Sequence, residues 1–136
     1  MIQVRHFLNH DPPAIAKIIN DCCDLEAAIT PNLLEYTVFA KTYFSRDRFL
    51  VATIADEVVG FVHMGSASTD CSETKTLTIS NFLVSNCDTK IAAELLGGVR
   101  QFAHNLGFTT LRIGTHPNRA EYYNGVSSHF LNAGVP

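Results

Sequence analysis

The sequence predicts a single soluble α/β (α+β) domain, and three observations point there. The chain has 136 residues, 46% of them apolar and 17% charged. Two β-rich runs, Phe49–Ala55 and Val58–Met64, face each other across the short acidic step Asp56-Glu57, as a hairpin does. Around Gly107 a helical pattern stands between two β-rich runs, the order of a crossover joining parallel strands. At about 100–200 residues per domain the length allows one domain. A chain of this size buries roughly 65–70% of its unfolded surface, so its core needs neither metal nor disulfide.

Composition removes several function classes. With a formal net charge of −3 and its lysines and arginines scattered singly, the chain has no basic footprint, and nucleic acid is not expected as a partner. Cys22, Cys23, Cys71 and Cys87 form neither a Cys-x-x-Cys pair nor a zinc-finger spacing, which fits a reducing compartment with Cys22-Cys23 as packing residues. His104, His116 and His129 also lack ligand spacing, and no metal is expected. The first residues lack the pattern of a signal peptide, and no apolar run approaches the ~18 residues of a membrane span. The expected location is the cytoplasm.

Ile2, Val4 and His6 alternate with Gln3, Arg5 and Phe7 as a short strand. Asp11 before Pro12-Pro13 starts a helix, since its carboxylate can accept orphan amide bonds and proline loses nothing in a first turn. Ile15, Ile18, Ile19 and Cys22 mark that helix's apolar face. Thr30-Pro31 starts a second helix, whose aromatic residues Tyr36, Phe39, Tyr43 and Phe44 are expected to form a lid or pack on one. After the hairpin, Gly65 to Thr76 is polar and reads as an exposed loop.

Thr76–Ser85 is a further strand, and the change of parity between Ile79 and Phe82 is what one inserted residue produces, a β-bulge. From Asp88 to Asn105 the apolar residues follow helical spacing, and Gly107 stands where a left-handed C-cap glycine belongs. Thr109–Thr115 is the next strand. The tail, Asn118 to Pro136, reads as a short helix followed by irregular chain.

In this order the pieces resemble the GNAT superfamily of acyl-CoA-dependent N-acetyltransferases. Phe49 to His63, with Val58-Val59-Gly60-Phe61, is similar to the family's second and third strands. Thr76–Val84 resembles the fourth strand, Ile91-Ala92-Ala93-Glu94-Leu95-Leu96 the start of the following helix, and Ala103 to Ile113 the helix exit and fifth strand. Thr30 to Phe44 and Tyr122-Tyr123-Asn124-Gly125 further resemble a bacterial subgroup that often carries two such domains in one chain, of which this would be the first.

The resemblance implies a mixed, mostly antiparallel sheet of about six strands with helices on both faces. It implies acetyl-CoA as acyl donor and an amine of a small molecule or peptide as acceptor. The donor's pantetheine arm would lie along the amides of Phe82, Leu83 and Val84, its pyrophosphate at the helix start formed by Thr89, Lys90, Ile91 and Ala92, with Asn118 and Tyr122 contributing after the fifth strand. Tyr123 matches the family's acid by position. His63 and His116 are the nearby side chains whose ordinary pKa lies close to neutrality; the plainer reading of each is structural, and for Tyr122 and Tyr123 it is aromatic packing.

One stretch departs from the family pattern. Where glycines let the backbone approach phosphate, this chain has Ser85-Asn86-Cys87-Asp88-Thr89-Lys90-Ile91-Ala92, without glycine and about two residues short. Asp88 places a carboxylate where phosphate charge would sit, or simply caps the helix. A catalytically degenerate module for ligand binding or protein association is therefore the alternative to an enzyme. A usual member also continues into one more strand, so a homodimer or a missing second domain is expected to cover the open sheet edge.

Overall fold

The computed structural model describes residues 1–22, 28–35, 39, 45–64 and 75–113. Five strands form one sheet in the order β1-β2-β3-β4-β5: β1 Ile2–His6, β2 Phe49–Ile54, β3 Glu57–Met64, β4 Thr76–Val84 and β5 Thr110–Ile113. The first three pairings are antiparallel, and β4 with β5 is parallel. Five strands among the described residues stand against the expected six or so. The expected tail helix lies outside them, as do most of the 65–76 loop and Tyr36, Tyr43 and Phe44 of the second helix.

Helices cover both faces. On one, α1 (Pro12–Cys22) and α2 (Pro31–Leu34) close over Phe7, Phe49, Val51, Phe61 and Leu83. On the other, α3 (Thr89–Asn105) lays Ile91, Ala92, Leu95, Val99 and Ala103 on Leu50, Val62, Leu77, Ile79, Phe82 and Val84. The alternation of neighbours along each strand between these two clusters is the period of two that a sheet buried on both faces requires. Phe39 is part of the first core. Its ring stacks on Phe7 at 4.6 Å and meets Phe49 edge-on at 5.6 Å, so this member of the expected lid packs inward.

The helix ends follow local chemistry. Thr30 caps α2, its Oγ1 accepting from the Leu33 amide at 3.1 Å. Asp11 precedes α1 but turns its carboxylate backward. It takes the Leu8 amide at 2.7 Å and both guanidinium nitrogens of Arg5 at 2.8 Å. Pro12 and Pro13 bring no amides to the first turn, which leaves fewer donors there for a capping carboxylate to accept. At the far end of α3, Gly107 adopts φ 81°, and the amides of Gly107 and Phe108 return to the carbonyls of His104 and Ala103.

The hairpin turns at Ala55-Asp56, one residue before the expected position. Both residues have positive φ, 51° and 64°, the handedness that matches the twist of a two-residue hairpin. The expected bulge in β4 is present. His63 faces Asn81 and Met64 faces Ile79, leaving Ser80 as the extra residue. Among the described residues, no helix is long and apolar enough to cross a membrane.

Candidate functional site

β4 organises the site. All nine of its residues are buried, including Thr76, Thr78, Ser80 and Asn81. Its four rows of pairing with β5 run from Thr76↔Thr110 to Ile79↔Ile113. Ile113 is the last described residue of β5, while pairing with β3 continues to Gly60↔Val84. The bulge at Ser80 directly follows Ile79. A bulge bends its strand and raises the local twist. Phe82, Leu83 and Val84 occupy the stretch beyond it.

The bulge also decides what faces where. Thr78 lies on the α1/α2 face of the sheet, since Leu77 and Ile79 face α3. After the extra residue, Asn81 and Leu83 take that same face, while Phe82 and Val84 face α3. His63 stands directly across from Asn81, its ring 5.1 Å from that of Phe49. Arg112 of β5 donates from Nη2 to Thr78 Oγ1 at 2.9 Å. The α1/α2 face thus carries Thr78, Asn81 and His63 beside the Ser80 bulge.

Asn81 is fully buried, and both its Oδ1 and its Nδ2 lack a hydrogen-bond partner. Asn20 shows the ordinary arrangement, with Nδ2 donating to the Ile29 carbonyl and Oδ1 accepting the Ile29 amide, both at 2.8 Å. An unsatisfied buried polar group costs about 1–3 kcal/mol. Each fully buried phenylalanine, such as Phe49, Phe61 and Phe82, stabilises by roughly 1.5–3 kcal/mol. The core therefore tolerates the cost. Reading the sequence for titratable groups passed Asn81 over; the detectable signal was the polar pair Ser80-Asn81 inside an apolar run, at the change of parity.

Past Val84 the chain makes a tight turn, Ser85–Cys87, in which Asn86 and Cys87 hold φ 57° and 52°. This is the left-handed backbone that glycine adopts at no cost and that other residues adopt at roughly 1–2 kcal/mol, asparagine least unwillingly. Without glycine, the turn keeps a glycine-like conformation. Asp88 then caps α3. Its Oδ1 accepts the amides of Lys90 at 2.8 Å and Ile91 at 3.3 Å, and its carbonyl accepts the Ala92 amide at 3.1 Å. Among the described residues, the Thr89 amide alone at this end has no hydrogen bond. The capping alternative is what the structure contains, and the Asp88 carboxylate occupies two of the donors an anion would use.

On the β3 flank of β4, away from β5, lies a separate cavity of 510 Å³ between α1, the start of β3 and the Ser85–Cys87 turn. Lys17, Cys22, Glu57, Asn86 and Cys87 are among its lining residues. Burial, with the nearby Cys87 and Asp21, pushes the Cys22 thiol above its ordinary pKa. It donates to the Val84 carbonyl at 3.4 Å, a packing role that fits a neutral thiol.

Of the residues singled out from sequence, the structure places Phe82, Leu83, Val84, Thr89, Lys90, Ile91 and Ala92 at the end of β4 and the start of α3, and His63 across from Asn81 on the face away from α3. His116, Asn118, Tyr122 and Tyr123 lie outside the described residues.

No protein-family model matches the sequence, and no curated protein matches it. Solved structures do match in three dimensions. The ribosomal-protein-S18-alanine N-acetyltransferase from Escherichia coli superposes with a TM-score of 0.61 at 13% identity, over 94% of this chain and 76% of that one. An acetyltransferase of the GNAT family from Staphylococcus aureus gives 0.60 at 13%, over 94% and 82%. The PaiA N-acetyltransferase from Thermoplasma acidophilum, in complex with coenzyme A, gives 0.56 at 13%, over 91% and 85%. The chain has the fold of the GNAT acetyltransferases.

Proposed function

We propose that this protein is an N-acetyltransferase that moves the acetyl group of acetyl-CoA to an amine of a small molecule or peptide. The observation that carries the reading is the Ser80 bulge in a fully buried β4, with Phe82, Leu83 and Val84 directly after it. In the resemblance stated above, the pantetheine arm lies along the amides of Phe82, Leu83 and Val84 as an added strand. The residues fit the arm better than the pyrophosphate, since Asp88 holds the Lys90 and Ile91 amides and adds a negative charge beside them. Lys90 supplies a positive charge and Thr89 a hydroxyl and its amide. Affinity for the donor is accordingly weak and comes chiefly from the arm.

The chemistry asks for an acceptor nitrogen with a free lone pair. An alkyl ammonium loses a proton, the nitrogen attacks the thioester carbonyl carbon, the C–N bond forms as the C–S bond breaks, and the thiolate is protonated. His63, buried on the α1/α2 face beside the Ser80 bulge, takes the role of proton acceptor for the amine. His116 is the second candidate and Tyr123 the acid that protonates the leaving thiolate. Asn118 and Tyr122 remain with the donor. We also propose a homodimer through the outer edge of β5.

One observation favours the alternative of a binding or association module without transfer, and it is the occupied helix start at Asp88. Isothermal titration with acetyl-CoA separates the two readings. Binding in the micromolar range supports the enzyme, and silence at millimolar concentration supports the module. Asp88→Asn keeps a competent cap while removing the charge, and Asp88→Gly opens both amides for a few tenths of a kcal/mol of stability. Both variants are expected to bind acetyl-CoA more tightly. Weaker binding in either would overturn the account of the loop.

A further inference from the structure

Asn81 presents two unspent hydrogen-bonding atoms at full burial, on the α1/α2 face of the sheet, directly after the Ser80 bulge and before Phe82, Leu83 and Val84. A carboxamide is a matched pair, an oxygen that accepts beside a nitrogen that donates. Asn20 shows what completes such a pair, the N–H and C=O of one peptide group. The two reacting atoms of acetyl transfer bring the same pair. The thioester carbonyl oxygen can only accept, and the attacking amine carries hydrogens to donate.

We propose that Asn81 is a catalytic residue of the transfer, its Nδ2 donating to the acetyl carbonyl oxygen and its Oδ1 accepting an N–H of the acceptor amine. This rests on the acetyltransferase reading. The carboxamide does not titrate and moves no proton. The amine lone pair forms the C–N bond, the carbonyl electrons shift toward the oxygen held by Nδ2, and their return breaks the C–S bond. One proton of the acceptor ammonium goes to the base before attack. The second leaves the nitrogen as the thiolate becomes a thiol. Because charge grows on the carbonyl oxygen only as the bond forms, the Nδ2 bond strengthens toward the transition state and acts on kcat. The Oδ1 contact holds the nitrogen against the carbon it attacks. A buried, water-free setting makes both contacts stronger than they would be at the surface.

The test uses the whole chain and two measurements. Asn81→Leu preserves the branching of the side chain and removes both polar atoms. The expected result is a fall in kcat of about 100-fold with the KM for acetyl-CoA nearly unchanged, and a melting temperature equal to or above that of the unsubstituted protein, because an unpaired buried amide has gone. Unchanged kcat in a folded variant overturns the assignment. Should the variant fail to fold, the side-chain amide resonance of Asn81 in the unsubstituted protein decides. It is expected to shift with acetyl-CoA and to shift differently with CoA, which lacks the carbonyl. Identical response to both ligands, while the backbone amides of Phe82 to Val84 report binding, overturns the assignment and leaves the acetyltransferase reading standing. No response at any of these amides at millimolar acetyl-CoA overturns both.

Discussion

Asp11 joins three pieces of backbone through one carboxylate. Burial by itself would raise its pKa, but the hydrogen bonds from Arg5 and the Leu8 amide, with the positive charge of Arg5 and the neighbouring His10, hold it below the usual carboxylate value. The linkage has a definite sign. A carboxylate whose folded pKa is lowered contributes stability that is fully present above its unfolded value, about 3.9, and is lost as pH falls through the lower folded value. Asp11→Asn removes the charge and one acceptor of the two-pronged contact with Arg5, whose own side chain is partly exposed and can hydrate. We expect a loss of about 2 kcal/mol at neutral pH and a flatter stability curve below pH ~4. Denaturant titrations at pH 7 and at acid pH check both. A variant as stable as the parent at pH 7 would show that the pair is merely adjacent.

At the scale of elements, the seat of α3 on the sheet depends on Gly60. A Cβ there would stand 3.0 Å from Val84 Cγ1, 3.1 Å from Ile91 Cγ2 and 3.1 Å from the Leu83 carbonyl oxygen. Gly60→Ala therefore pushes against the last residues of β4 and the first turn of α3 together. The expected cost is about 1–3 kcal/mol, the range for an overpacked core, seen as a lower denaturant midpoint with unchanged m. An unchanged midpoint would mean that α3 shifts without resistance. The features of these elements that the sequence made legible are the local ones. The Thr30 cap, the Gly107 exit and the extra residue in β4 each follow from a residue type at a fixed spacing. The Ala55-Asp56 turn was misplaced by one residue because both Asp56 and its neighbours suit a turn, and only cross-strand register decides. The Asp11 carboxylate was misassigned because Arg5 is distant in kind, lying on a strand rather than in the helix it was expected to cap. Asn81 was missed for a deeper reason. Being unpaired is a property of everything around a side chain, and no window of sequence contains that.

At the scale of the sheet, inner and outer strands differ in how they are protected among the described residues. β2, β3 and β4 are each flanked by strands, while β1 and β5 are outermost among the described residues. An outer strand presents unpaired N–H and C=O groups that proteins usually cover. The homodimer proposed for β5 follows from that, and sedimentation at rising concentration is expected to approach twice the mass of the 136-residue chain. A stable monomer at high concentration would reject it. The resemblance to acetyltransferases was readable because it rests on the succession of elements, which hydrophobic periodicity records. The identity of the acceptor was not, because specificity rests on contacts that several segments make together.

The two-residue turn at Ala55-Asp56 has a further consequence for how the sheet comes together. Closing so small a loop costs the chain little configurational freedom, whereas bringing Ile2–His6 alongside β2 closes a loop of many tens of residues, and aligning β5 requires α3 to span the gap first. Entropy thus ranks the four pairings from the middle outward, making the β2–β3 ribbon the template on which the remaining strands are laid.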